Sequence, residues 1–311
     1  MHSAPAAIKR TYTDGYQVGN SLLLQATAQA QHLHRTPTIT GNSQKWTLSV
    51  WVKRVRNGSY DYFLSLGIDS SASEDYGFHP AYTGEDQIFL TSQLPSLNYR
   101  GYSDGEYRDT SDWMHIVIRR DASLATEDEK TQLFVDGQQI SIGHDQFLSG
   151  TQMMSQLYKH KIGRNAQETA SGWSDLYYAE YAFLDDQYLD PTEFGEWNST
   201  YKTVWQPRDL LAGHISFGGQ SYYLNFADEE DLGNDVSGLG NHWTSEGITS
   251  SNQRTDTPVN KNNTMNVYSV KPPSNSSSWF AKWGGLQHGS TPVLSAWFIC
   301  LSHMSADRGK F

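Results

Sequence analysis

Helical periodicity is almost absent from this chain; short alternating or aromatic-rich runs, broken by Gly, Asn, Asp and Ser, take its place. That pattern belongs to all-β sandwiches and barrels. Trp46-Thr47-Leu48-Ser49-Val50-Trp51-Val52 alternates, with Trp46, Leu48, Val50 and Val52 on one face and Trp51 on the other. Trp113 to Ile118 reads as a further strand. Gln132 to Val135 runs through Asp136-Gly137 into Gln138 to Ile142, a predicted hairpin, because Asp-Gly suits the positive φ angles of a tight turn. Asn57-Gly58, between Val55 and Tyr60 to Phe63, carries the same chemistry and predicts a second hairpin. Tyr177 to Leu184 and Tyr222 to Phe226 are aromatic-rich runs that tend towards the continuous apolar pattern of strands buried on both faces. Asn20 to Ala30 has helix formers but also reads as Ser-Leu-Leu-Leu entering a strand. Helix is expected only as a turn or two near Asp190 to Glu196, where Asp190 can cap ahead of Pro191.

Lys plus Arg number 23 against 34 Asp plus Glu, a formal charge of −11. A protein that grips phosphate backbones or anionic membranes through bulk charge would have the opposite balance. Aromatic residues make up 13% of the chain, which excludes disorder of the whole. No apolar run approaches the ~18 residues of a membrane span. Met1 to Pro5 lacks the basic and apolar regions of a secretory signal, so no oxidising export step is expected. The single cysteine, Cys300, sits in an apolar run and reads as a small buried hydrophobe.

Composition shifts after Phe226. The expected division is a sandwich over 1–226, a polar loop or linker over 227–278, and a short apolar segment over 279–311. That last segment carries Trp279, Phe280, Trp283, Trp297 and Phe298, too much apolar surface for a free tail, and is expected at an assembly interface.

Several motifs then fall in a telling order. Gly41-Asn42 precedes Trp46 to Arg54; Asp112 to Val117 and Leu133 to Gly137 follow; then come Ile162-Gly163-Arg164, Ala179 to Asp185, Leu189 to Glu196, Leu232 to Trp243 and Asp256 to Asn260. This order resembles laminin-G-like domains of the concanavalin A-like jelly-roll class, in the version carried by virion structural proteins of tailed bacteriophages, marine ones especially. The chain departs from the family's usual Asp-Gly at Asp185-Asp186 and from its usual Pro-Thr-Asn-Asn at Pro258 to Lys261. Relatives commonly continue into another β-sandwich module, which the last segment here does not match.

The resemblance implies an all-β fold, a two-sheet antiparallel jelly roll. It implies a non-enzymatic virion structural protein, a fibre or surface appendage in assembly or host attachment, made in the host cytoplasm. Its expected partners are other virion proteins and its own copies, with a trimer favoured, and neither nucleic acid nor membrane insertion is expected. A glycan-binding adhesion module is the alternative, and a polysaccharide depolymerase a further one. Laminin-G-like domains often hold calcium at the sandwich rim, for which Asp228, Asp231, Asn234, Asp235 and Asn241 supply hard oxygen ligands; the same residue types also make turns.

The residues themselves weigh these readings. A retaining hydrolase needs two carboxyls ~5 Å apart. No alternating acidic triplet occurs, and Asp175 with Glu180, an offset of five, falls on opposite faces of a strand. No catalytic residue is therefore expected. Neither a nucleophile elbow nor a phosphate loop is present. Trp173, Tyr177 and Tyr178 form the candidate sugar-stacking platform. Strict alternation would put Tyr177, Ala179, Tyr181 and Phe183 on one face and Tyr178, Glu180, Ala182 and Leu184 on the other. His32-Leu33-His34 places two imidazoles on one face, either as surface histidines beside a buried leucine or as metal ligands shared between three chains.

Overall fold

A computed structural model describes residues 15–26, 31–68, 72–79, 86–94, 97–146, 154–166, 172–199, 204–258, 267–270 and 281–283. The strands are β1 (Ser21–Leu24), β2 (His32–Arg35), β3 (Lys45–Arg54), β4 (Asp61–Ile68), β5 (Ala72–His79), β6 (Gln87–Leu94) and β7 (Leu97–Glu106). There follow β8 (Met114–Asp121), the one-turn helix α1 (Glu127–Lys130), β9 (Thr131–Val135), β10 (Gln138–Ile140), β11 (Ile142–Gln146), β12 (Lys159–Ile162) and β13 (Leu176–Asp185). The last are β14 (Gly195–Trp197), β15 (Trp205–Pro207), β16 (Tyr222–Leu224), β17 (Thr244–Glu246), β18 (Gln253–Arg254), β19 (Val267–Val270) and β20 (Ala281–Trp283).

All pairings are antiparallel. An eight-stranded sheet has the order β10-β9-β8-β3-β13-β1-β18, with β16 on β13. A ten-stranded sheet has the order β17-β2-β12-β4-β5-β6-β7-β19-β20, with β11 on β7. The fold is the expected concanavalin A-like jelly roll: two sheets face each other over one apolar core. Trp46, Leu48, Val50 and Val52 of β3 share that core with Phe63, Leu66, Phe78 and Ile118. Trp51 faces the other way, among Val18, Trp113, Ala179 and Trp205. The alternation read from β3 holds because an unbroken strand repeats every two residues.

The two glycine turns part company. Asp136 (φ 49°) and Gly137 (φ 75°) join β9 to its partner β10, both left-handed as a two-residue hairpin turn requires. Asn57-Gly58 makes no hairpin. β3 pairs with β8 and β13, β4 with β5 and β12, so the connection between them crosses from one sheet to the other. Gly58 still takes φ 74°, but a positive φ specifies a turn and not which strands flank it. At Asp190 the short helix is as expected: its carboxylate accepts from Thr192 N at 3.1 Å ahead of the turn Pro191–Glu193.

Strict alternation also fails in β13. Its register with β3 shifts between Ala179 and Ala182, and Glu180 sits there at φ 47°. This bulge adds one residue, so Tyr178, Tyr181 and Phe183 face the core while Tyr177, Ala179, Ala182 and Leu184 lie outside it. Tyr177 and Tyr181 therefore occupy opposite faces.

The polar segment beyond Phe226 packs on the sandwich through residue 258. Trp243 enters the main core, β17 pairs with β2, and β18 pairs with β1. Asp186 takes φ 59°, its carboxylate accepting from the Asn42 side-chain amide at 2.7 Å; Asx side chains tolerate that conformation better than most. Trp279, Phe280, Trp297 and Phe298 lie outside the described residues; Trp283 ends β20, which pairs with β19.

Candidate functional site

Strand β2 buries Leu33 completely and turns His32 and His34 to the outer face of the ten-stranded sheet. Glu246 on the edge strand β17 is in register with His32. Its Oε2 lies 3.6 Å from Nε2 of His32 and 3.7 Å from Nε2 of His34. The two imidazole centroids are 5.6 Å apart.

The chain after β12 folds back to bring in the aromatic residue. Gly163 N–H donates to Tyr62 O, Asn165 N–H to Gly172 O and Ser174 N–H to Gly163 O. Gly163 has φ 84°, and a Cβ there would lie 2.2 Å from a Leu24 methyl, so glycine alone fits. This return sets Trp173 opposite Arg164, whose guanidinium carbon stands 4.1 Å from the indole centroid. His32 approaches Trp173 edge-on at 6.1 Å. Trp173 and Arg164 are both half-buried, and Glu246 is 54% exposed. His32 is itself only 1% exposed and backs the group; the half-buried indole, His34, the Arg164 guanidinium and the Glu246 carboxylate can stack on the apolar face of a sugar and bond its hydroxyls.

Behind this group, His34, Lys161, Ser65 and Asp75 stand in one cross-strand row. Burial pushes the Asp75 carboxyl up, while the hydroxyls of Ser65 and Ser73 draw it back.

The other members of the predicted platform lie elsewhere. Tyr178 is fully buried in the core, its hydroxyl donating to Tyr62 O at 2.8 Å, and cannot meet a ligand. Tyr177 is on the outer face of the opposite sheet, edge-on to Trp113 and 5.6 Å beneath the Lys53 ammonium. His32 and His34 were visible in the sequence only as a pair, and Glu246 carried no signal in its polar segment.

Asp175 and Glu180 do not form a catalytic pair. Five residues of strand separate them by roughly 16 Å, against the ~5 Å that retaining hydrolysis needs. Asp175 is spent on Arg56 and on Ala26 N–H at 2.7 Å. Glu180 is 3% exposed beneath Tyr223. A separate buried network surrounds Arg54, which lies 2.8 Å from Asp86 and 3.5 Å from Asp61. Burial pushes Asp61 up to about 6, although the Asp175 backbone N–H and Arg54 both hold it down.

The predicted calcium oxygens serve as loop fastenings. Asp228 accepts the N–H groups of Glu230 and Asp231, and Asp231 that of Gly233. Asp235 accepts from Tyr223 N, Ser237 N, the Ser237 hydroxyl and Asn241 N. Asn234 N–H closes a turn on Asp231 O. Asn241 Oδ1 faces a cation, but that cation is the Arg35 guanidinium. Among the described residues no group of three or more His, Cys, Asp or Glu is placed to hold a metal.

Residues 25–175 match the Laminin_G_3 family model, described as the concanavalin A-like lectin/glucanases superfamily. That segment contains His32, His34, Arg164 and Trp173; Glu246 lies beyond it. No curated protein matches the chain. Among solved structures, a carbohydrate-binding-named protein from Bacteroides ovatus is 14% identical with a TM-score of 0.47, covering 78% of this chain and 62% of its own. A heptameric SAP-like pentraxin from Limulus polyphemus is 14% identical with a TM-score of 0.41, covering 56% and 80%. Domain 4 of an extracellular arabinanase from Geobacillus stearothermophilus, in complex with arabinotriose, is 15% identical with a TM-score of 0.39, covering 57% and 75%. What those proteins bind is a property of those proteins.

Proposed function

We propose that this laminin-G-like chain is a non-enzymatic glycan-binding module whose sugar contact is centred on Trp173. One observation carries the reading: a half-buried indole is held by a chain return beside Arg164, with His34 and Glu246 at its open side and the buried His32 behind. The family description, which names lectins, supports it. Glucanases share that description, but Asp175 and Glu180, the acid pair the sequence offers, are engaged apart from each other, Asp175 with Arg56 and Glu180 beneath Tyr223.

The test is binding of purified chain to a panel of bacterial surface polysaccharides by isothermal calorimetry. Trp173→Ala should weaken a positive interaction tenfold to a hundredfold, about 1.5–3 kcal/mol. The bound glycan should release no reducing ends. Binding that survives Trp173→Ala unchanged would remove the site from the account.

The order of motifs from Gly41 to Asn260 favours a setting for that module: the surface of a tailed-phage particle, as a fibre or appendage in contact with other virion proteins and its own copies. Tracing the chain in images of purified particles tests this setting independently of sugar binding.

A further inference from the structure

A cleft opens at the rim of the sandwich where β13 ends. Asp185, the last residue of that strand, is 6% exposed, and its carboxylate fastens three segments together. Oδ1 accepts from Asn42 N at 2.8 Å and from the Ser155 hydroxyl at 2.9 Å, and Oδ2 accepts from Gln220 N at 3.0 Å. Gly41 and Gly219 approach so closely that a Cβ on either would collide with Oδ2. Both walls are therefore pinned to one buried group. Between them lies a cleft of about 460 Å³, lined by Asn42, Asp186, Gln187, Ser216 and Gly219 as well as Asp185. Asp186 Oδ1 accepts from the Asn42 amide, and Gln187 Nε2 donates to Ser216 O at 2.9 Å. Asp186 Oδ2, Gln187 Oε1 and the Ser216 hydroxyl have no partner among the described residues. No Lys, Arg or His is among the lining residues. Gly41 N–H donates to Ser155 O, and the two loops joined there carry Ile39 and Leu157, 61% and 54% exposed, the most exposed large apolar side chains described.

We propose that this cleft is a second glycan contact, one that takes an uncharged sugar through two neighbouring hydroxyls. It rests on the reading of the chain as a glycan-binding module, but not on Trp173. Trp173 stands beside His32, at the start of β2, whereas the cleft wall is tied to the other end of that strand by Arg35 Nη2 to Gln220 Oε1 at 2.6 Å. The unspent groups are a carboxylate oxygen and an amide carbonyl, which only accept, and one hydroxyl, which does either. Their complement is a ligand rich in O–H donors. One sugar hydroxyl donates to Asp186, a charge-assisted bond; its neighbour donates to Gln187 Oε1 and accepts from Ser216. A uronate or sulfate would set its own charge against Asp186 with no lining cation to offset it, so acidic sugars are rejected. Walls already fastened through Asp185 need no ordering on binding.

Affinity electrophoresis of the full chain tests this, in gels containing dextran, mannan or galactan, with alginate as the uronate control. At least one neutral polysaccharide should retard the chain. Asp186→Asn, which tolerates the left-handed turn, should weaken that retardation ~10-fold, the loss of one charge-assisted bond. Ser216→Ala, at an exposed position that does not threaten folding, should weaken it several-fold. Retardation unchanged by both variants, or retardation by alginate alone, would overturn the cleft. Loss in Trp173→Ala with Asp186→Asn unchanged strikes the cleft and keeps the Trp173 contact; the reverse keeps the cleft and strikes Trp173. A chain retarded by none of the four overturns the proposal.

Discussion

The two outer faces of the sandwich carry the same residue types in opposite settings. Against the ten-stranded sheet, Trp173, His32, His34 and Glu246 gather where His32 is 1% exposed, His34 23% and Glu246 54%, with the indole half-buried. On the eight-stranded sheet, Trp51, His115 and Glu180 are covered by residues 15–20, by Trp205 of β15 and by residues 187–199 and 204–217. There His115 stacks on Trp51 at 4.8 Å and on Trp205 at 6.0 Å. Its Nδ1 accepts from Trp205 Nε1 at 3.0 Å, so its proton is on Nε2, directed to the Ser49 hydroxyl at 2.9 Å. Both ring nitrogens are committed and the ring is neutral. The comparison teaches that residue type does not make a site: one tryptophan–histidine–glutamate group is enclosed packing, while the other reaches the surface through His34, Trp173 and Glu246.

The sharpest way to break that contrast is truncation of the two indoles. Trp51→Ala should cost on the order of 3–5 kcal/mol in urea unfolding, because it empties a fully packed position. Trp173→Ala should cost less than ~1 kcal/mol and act on binding instead. Equal losses would make Trp173 another packing residue.

The histidines give a smaller version. His115→Ala leaves Trp205 Nε1 and the Ser49 hydroxyl without their partner and opens a gap between two indoles, about 2–4 kcal/mol. His34→Ala, 23% exposed, should change stability by less than ~1 kcal/mol.

The pH dependence of stability separates the faces further. Glu180 is raised in the folded chain, so its contribution is fully present below about 4.5 and is lost as pH rises through about 8. Asp61, raised from 3.8 to about 6, adds a slope of the same sign over its own lower window. Unfolding midpoints measured across this range should fall with pH, and Glu180→Gln should flatten the upper part while leaving the lower. The smallest effect is expected for Glu246→Gln: within ~0.5 kcal/mol in stability, as for exposed ion pairs generally, with several-fold weaker glycan binding.

Much of the architecture was legible because it is local. The faces of β3, the Asp136-Gly137 hairpin and the Asp190 cap each depend on residues within a few positions. Asn57-Gly58 was misread because its glycine φ is local but the choice of partner strands is not.

The candidate site was half legible. Trp173 stood out as an aromatic between Gly172 and Ser174, and His32-Leu33-His34 as a pair on one face. Tyr181 was misplaced relative to Tyr177 by a single inserted residue at Glu180, which reverses every side chain after it. Glu246 was lost in a segment that read as linker.

By itself the sequence determined the fold class, several of the strands, the alternating faces of β3 and the Asp136-Gly137 hairpin, because those follow from steric preferences and solvation over a few neighbouring residues. Tertiary structure alone decided which tryptophan is packed and which is open, that Glu180 is enclosed with phenols, and that Glu246 meets two histidines from the far end of the described domain. Burial and proximity are properties of strand order and of what covers each sheet, and neither is encoded at the position that experiences them.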